Sequence, residues 1–234
     1  MKPFATYNGG KAGHGTYQKI INNIPKHSIY IEPMVGNGGI LFNLNLPGMV
    51  VINDIDSAVI DKYNYKCLGY INRSVKVHNQ CYSEIIEKYD DFENVFFYFD
   101  PPYLKSTRKN EKDLYRFEWE ESQHILFLEK IKKIKNKVMV SHYPCTLYDT
   151  ELQSWNSLEF YSTTRKGKAL DKIYMNYPTP KNLQDYRYLG INSIDRQRIK
   201  RKSERTLEKF KNLPIHERNL ILGYLADKYI YTAE

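Results

Sequence analysis

The tetrapeptide Asp100-Pro101-Pro102-Tyr103 follows directly on the apolar run Val95 to Phe99 and is the strongest chemical signal in the chain. Two prolines neither continue a helix nor donate ladder hydrogen bonds, so they stiffen the backbone where it leaves a strand. An acid and an aromatic ring are thereby held in fixed relation across a rigid corner. That corner suits a substrate amine conjugated with an aromatic ring, whose lone pair is a poor nucleophile. The Asp100 carboxylate and the Pro101 carbonyl can accept from its two N–H groups and turn the lone pair toward an electrophile. Tyr103 can stack on the ring. A base carrying such an amine has to leave a duplex to be reached. The work required of the protein is positioning and electrostatics, with no covalent enzyme intermediate.

Two other features fall at strand ends, where ligands of open parallel sheets bind. The first is Glu32-Pro33-Met34-Val35-Gly36-Asn37-Gly38-Gly39, after the short β-rich run Ser28 to Glu32. Its glycines let the backbone approach a ligand, although the full dinucleotide fingerprint is absent. The second is Asp54, placed to accept from ribose hydroxyls, with Asp56 the better candidate for a helix cap. Pro144-Cys145 raises a different chemistry, cytosine-C5 methylation through a thiol nucleophile, but two residues are a weak match and cysteine more often serves as a small buried hydrophobe.

These residues need elements to hold them. Strands are expected at 28–32, 48–54, 74–78, 95–99 and 137–141, with a terminal pair near 158–164 and 172–176. Helices are expected at 55–70, 82–89 and 118–135, and Ile40 can begin another. The alternation predicts an α/β domain over residues 1–180 with a largely parallel sheet. Residues 181–234 read as a helical extension, with Ser193 capping a helix toward Phe210 and Pro214 opening a second.

The chain has 234 residues, 35 Lys plus Arg against 27 Asp plus Glu, and a net charge of +8. Ten basic and four acidic residues lie between Lys181 and Lys211, so the excess is concentrated there, as for contact with a polyanion. Lys105, Arg108, Lys109 and Arg116, interleaved with Tyr115, Phe117 and Trp119, form a second candidate for following phosphates, beside Arg196, Arg198, Lys200, Arg201 and Lys202. No apolar run nears the ~20 residues of a membrane span, no signal core follows Met1, and three cysteines at 67, 81 and 145 match no metal or disulfide framework. A cytoplasmic protein with free thiols is expected.

Asp-Pro-Pro-Tyr at 100–103, Tyr7-Asn8-Gly9-Gly10-Lys11, Glu32 to Gly39 and Asn53-Asp54-Ile55 together resemble the D12 (Dam-like) class of DNA adenine N6-methyltransferases. Val138 to Asp149, Thr164 to Pro178 and Leu183 to Leu225, with Tyr186-Arg187-Tyr188-Leu189-Gly190 and Leu213-Pro214, are similar to phage-type members, so the likeness covers nearly the whole chain. The resemblance implies a Rossmann-like fold with helices on both faces of the sheet, S-adenosylmethionine as cofactor, and DNA as partner. It implies that Tyr7, Lys11, Asp54 and Asp100 contact the cofactor and that Gly36 and Gly38 pass close to its methionine part. Glu32, Met34 and Ile55 belong to the same loops, Met34 standing where the class usually has Phe. Many members carry Gly-Asp after the third strand; here Gln80-Cys81 stand, and Gln80 would have to substitute with its amide oxygen. RNA adenine methylation, and a non-catalytic nucleic-acid-binding relative, remain the alternatives.

Overall fold

A computed structural model describes residues 10–66, 74–108, 116–164 and 167–230. In chain order these form α1 (Thr16–Ile21), β1 (Ile29–Glu32), β2 (Met49–Asn53), α2 (Ser57–Lys66), β3 (Ser74–His78), α3 (Tyr82–Tyr89), β4 (Val95–Phe99), α4 (Glu121–Ile131), β5 (Lys137–His142), α5 (Thr146–Glu151), β6 (Asn156–Thr164), β7 (Gly167–Met175), α6 (Ser193–Lys211) and α7 (Ile215–Leu225). The strands make one sheet in the order β3-β2-β1-β4-β5-β7-β6. The pairs β1–β2, β1–β4, β2–β3 and β4–β5 are parallel; β7 runs antiparallel to both β5 and β6. This is a mostly parallel, Rossmann-like sheet with helices on both faces, as the sequence leads one to expect.

Side-chain alternation along the central strands divides the core into two layers. Tyr30, Val50, Ile52, Phe96, Tyr98 and Met139 pack on one face with Ile20 and Ile21 of α1 and Val59 and Ile60 of α2. Ile31, Val51, Phe97, Phe99, Val138 and Val140 pack on the other with Ile85 and Ile86 of α3, Phe127, Leu128 and Ile131 of α4, and Tyr148 of α5. All five residues of β4 are buried, which is why its sequence is an unbroken apolar run. Both helical layers reach β4, so the corner at Asp100 leaves a strand held on both faces.

Two expectations are corrected. Ile40 to Leu44 forms successive turns, with Phe42 N donating to Gly38 O and Leu44 N to Ile40 O, but no regular helix. The cap of α6 is Asn192, whose side chain accepts from Asp195 N, and Ser193 is the first helical residue. The first compact unit runs on to Tyr188, and a second begins at Leu189. The additional residues are tied to the first unit by backbone bonds from Lys26 N to Asn182 O and Gln184 N to Ile24 O, and by the buried Asp185 carboxylate, which accepts from Asn45 N. Asp56 caps α2, accepting from Ala58 N at 3.0 Å, as its position suggested.

Candidate active site

A cavity of about 440 Å³ opens at the carboxyl ends of β1, β2 and β4, within the usual range of roughly 300–1,000 Å³ for small-molecule sites. Its walls include Lys11, Glu32, Met34, Gly36, Asp54, Ile55, Cys81, Asp100, Pro101 and Pro102, so loops far apart in sequence meet on it.

The loop after β1 is splinted to the loop after β2. Asp54 Oδ2 accepts from Gly36 N at 2.9 Å, and Asp54 Oδ1 accepts from Asp56 N at 3.0 Å. Asp54 therefore shapes the cavity while lining it, and burial pushes its carboxyl above the ordinary value although those N–H groups pull it back. Gly36 and Gly38 both have positive φ, 45° and 62°. Gly38 does not face the cavity; a Cβ there would lie 2.5 Å from Tyr63 Oη and 2.8 Å from Phe42, so close packing is what requires glycine. Gly39 is on the wall, and a Cβ there would meet the backbone of Lys11 and Ala12. That close approach brings the N-terminal loop, with Lys11, to the site.

Around Asp100 the hydrogen bonds are directional. Lys11 Nζ donates to Asp100 Oδ1 at 2.8 Å, and Ser141 Oγ donates to the same oxygen at 2.8 Å. Ser141 Oγ in turn contacts Tyr98 Oη at 2.9 Å. Among the described residues nothing donates to Asp100 Oδ2, nor to the carbonyl of Pro101. Burial pushes the Asp100 carboxyl above its ordinary value, and Lys11 and Ser141 draw part of that shift back. Burial alone would lower the Lys11 ammonium, but Asp100 and, behind it, Asp171 outweigh this and raise it. Glu32, 2% exposed, accepts from Tyr30 Oη at 2.8 Å, and burial drives its carboxyl well above the carboxylate range.

Tyr103 differs from expectation. Its residue is 4% exposed, and its hydroxyl donates to Asp171 Oδ1 at 2.8 Å while accepting from Lys11 Nζ at 2.5 Å. Its ring packs against His142 and edge-on against Tyr143, with centroids 4.9 and 4.3 Å apart. A ring so covered offers no open face for stacking a base; half-buried Tyr143 stands beside it. His142 is buried, accepts from Leu104 N at its Nε2 (2.9 Å) and so carries its proton on Nδ1, toward Tyr143 O. Burial lowers its pKa to about 3, which keeps it neutral.

The basic segment after the tetrapeptide is also corrected. Arg108 forms a two-pronged ion pair with Glu118, at 2.8 and 2.7 Å, and donates to the Tyr103 carbonyl. Its side chain is 4% exposed, so it fastens the corner and cannot follow phosphates. Lys105 pairs with Glu120, and Arg116 pairs with Asp56 across the cavity wall. Phe117, Glu118 and Trp119 line the cavity with Arg116, which gives this segment a place in the pocket. Tyr7 and Lys109 lie outside the described residues. Gln80 is not on the wall: its amide donates to Glu84, and only Cys81 and Tyr82 beside it reach the cavity. Cys145 is absent from the wall, and burial pushes its thiol up, which argues against a nucleophile.

Sequence reading missed Ser141, Asp171, His142 and Tyr143. Ser141 and the two residues after it stand at the end of a recognisable strand, a position that could have flagged them. Asp171 lies within the antiparallel β7 and carries no local signal. Asn37 is a further addition: it lines the cavity, and its buried Oδ1 meets no donor among the described residues. An unmatched buried acceptor on a cavity wall is what a ligand N–H would satisfy. With Asp54 and Asp56 as acceptors for hydroxyls, and half-exposed Ile55 and Phe117 as apolar surface for a ring, the walls fit S-adenosylmethionine.

Comparison with known proteins agrees over the central part of the chain. A family model described as D12 class N6 adenine-specific DNA methyltransferase matches residues 68–166. A sequence search of curated proteins finds no match. Among solved structures, an rRNA methylase from Streptococcus thermophilus aligns over 69% of this chain and 93% of its own, at 12% identity and TM-score 0.46. A SAM dependent methyltransferase from Agrobacterium tumefaciens aligns over 69% and 60%, at 11% identity and TM-score 0.46. A dimethyladenosine transferase from Plasmodium falciparum aligns over 68% and 60%, at 13% identity and TM-score 0.44. The cofactor that goes with the matched family is S-adenosylmethionine. Across residues 68–166, which hold the Asp-Pro-Pro-Tyr corner, the chain matches the D12 class of N6 adenine-specific DNA methyltransferases.

Proposed function

We propose that the protein methylates the N6 amine of adenine in DNA, acting on a nucleotide turned out of the duplex in the cytoplasm. The observation that carries this reading is the state of Asp100: one carboxylate oxygen is clamped by Lys11 and Ser141, and the other has no donor among the described residues, at the wall of the cavity beside the unengaged Pro101 carbonyl. Two fixed acceptors on a proline-stiffened corner match the two N–H groups of an exocyclic amine. Accepting from both draws the nitrogen lone pair out of conjugation and aims it at the cavity. S-adenosylmethionine supplies a methyl group on a sulfonium, so the amine needs positioning more than it needs a base. Lys11 holds Asp100 oriented and charged. Ser141 keeps Oδ1 occupied, so that Oδ2 is the oxygen left to receive the substrate.

The test is product analysis. The full-length protein, S-adenosylmethionine and matched DNA and RNA oligonucleotides of mixed sequence are incubated and hydrolysed, and modified nucleosides are read by mass spectrometry. N6-methyladenine in DNA is the expected product. Methylation confined to RNA, or 5-methylcytosine alone, would overturn the reading.

The basic helix α6 is assigned to phosphate contact. Arg198, Lys200, Arg201 and Lys202 are all exposed, and Arg198, Arg201, Lys202 and Arg205 recur at helical spacing along one stripe. Arg198 pairs with half-buried Asp195 and Lys200 with exposed Glu204, and both basic side chains remain in solvent, which screens these pairs. Replacing Arg198, Lys200, Arg201 and Lys202 with Gln is expected to weaken DNA binding and to reduce the slope of log K against log salt by about one unit per lost phosphate contact. Filter-binding or fluorescence titration over a salt series measures this; an unchanged slope would remove α6 from the interface.

A further inference from the structure

Asp171 belongs to β7, the strand that reverses the sheet, and faces Phe160 of β6 in register. It is 3% exposed and absent from the cavity wall, and the resemblance assigns it nothing. Its Oδ1 accepts the Tyr103 hydroxyl at 2.8 Å, and that hydroxyl oxygen receives Lys11 Nζ at 2.5 Å. The same ammonium donates to Asp100 Oδ1 at 2.8 Å and lies 4.6 Å from the centre of the Tyr103 ring.

A tyrosine hydroxyl has one proton, and a carboxylate only accepts. Facing Asp171, the Tyr103 proton must point to the carboxylate, which leaves an oxygen lone pair toward Lys11. Were Asp171 neutral or missing, the hydroxyl could rotate its proton toward the ammonium and repel it. We propose that Asp171 is a positioning residue for methyl transfer: through Tyr103 it fixes the polarity of a hydrogen-bond relay that seats the Lys11 ammonium on Asp100. The relay runs from β7, through the corner after β4, to the loop before α1, and ends on the carboxylate that the proposed function places against the amine. This inference rests on that reading for its effect on catalysis, although the relay itself is independent of the substrate.

The charged and titratable groups facing Asp171 define a second consequence. Lys11 comes from the N-terminal loop, Asp100 and Tyr103 from the corner, Tyr98 from β4, and Tyr143 from the end of β5; Glu32 from β1 faces Asp100 in turn. The negative charge of Asp171 raises Asp100 and Lys11 alike. Removing that charge takes away a small upward push on Asp100, but unseating Lys11 takes away a larger downward one, so the Asp100 pKa rises and the acid limb of the kcat profile moves to higher pH.

The experiment compares wild type, Asp171→Asn, Tyr103→Phe and the double variant. In Asp171→Asn, kcat is expected to fall by about tenfold to a hundredfold, with a smaller change in S-adenosylmethionine Kd, from calorimetry, since Asp171 is itself off the cavity wall and acts only through Lys11. The acid limb should move up, and Asp171→Glu should recover part of kcat. In the double variant, Asp171→Asn should add little to Tyr103→Phe, because both cut one relay. Independent multiplicative effects, or an unmoved limb with near-normal kcat, would overturn the proposal. Should Asp171→Asn not fold, loss of kcat in Tyr103→Phe bears the test, and normal kcat there overturns it. Carbon-13 NMR of the Asp100 carboxyl in the protein without DNA separates the two claims. If wild type methylates no adenine but the Asp100 titration still moves in Asp171→Asn, the relay stands and the functional reading fails.

Discussion

Asp100→Ala is expected to lower methyl transfer by on the order of 10²–10³-fold, the usual effect of deleting one preorganised group aimed at the reacting centre. The fold should persist. The variant removes a buried carboxyl along with the partner that Lys11 neutralises, yet Lys11 keeps Tyr103 and the negative charge of Asp171 close by. The corner itself is fixed by Pro101 and Pro102 and by the Leu104 N–H bond to His142. Circular dichroism and thermal melting should match wild type to within a few degrees, while N6-methyladenine formation collapses. Near-normal product in a folded Asp100→Ala protein would remove the carboxylate from the chemistry. Asp100→Asn discriminates further: it preserves shape but presents an amide that can donate as well as accept, so it too should be severely impaired.

Lys11→Met should harm both stability and activity. The ammonium is 5% exposed on its side chain and lies between two carboxylates, so its loss leaves buried negative charge uncompensated. Breaking a buried pair in this way costs about 3–5 kcal/mol, and about 1 kcal/mol lowers the melting midpoint of a chain this size by roughly 2–4 °C. A clear fall in Tm is therefore expected. The pH dependence carries the sharper sign. Lys11 is the main influence holding the Asp100 carboxyl down against its burial. Without it the Asp100 pKa rises further, more of the protein is protonated at a given acid pH, and the acid limb of kcat moves to higher pH. Asp171→Asn, which loosens the same ammonium without removing it, is expected to shift the limb in the same direction but less far, so the pair tests whether Asp171 acts through Lys11. A Lys11→Met limb that stays in place, with Tm unchanged, would show that the ammonium is not coupled to Asp100.

How much of this was legible beforehand differs from residue to residue. The apolar run Val95 to Phe99 reads as a strand buried on both faces, and it is one. The tetrapeptide after it, the glycine loop after β1 and the acid after β2 read as three strand ends, and all three meet on one cavity. Local signals suffice there because a parallel sheet places successive carboxyl ends along one edge. Gly38 was legible as a required glycine but for a reason that only packing supplies, the rings of Tyr63 and Phe42. Arg108 was read from composition as a surface cation; a salt bridge to Glu118, ten residues on, turns it inward, and composition cannot distinguish a paired guanidinium from a solvated one.

The sequence alone determined the sheet, its strand ends and the rigid acid-to-aromatic corner, because hydrophobic periodicity and proline stereochemistry act over a few residues. Only the tertiary structure decided what the corner is fastened to. Lys11, Asp100 and Asp171 are separated by 89 and 71 positions, and no local preference brings a buried ammonium to two buried carboxylates. That meeting depends on the antiparallel return of β7 beside β5 and on the close approach of Gly39 to the N-terminal loop, both consequences of how the whole chain packs.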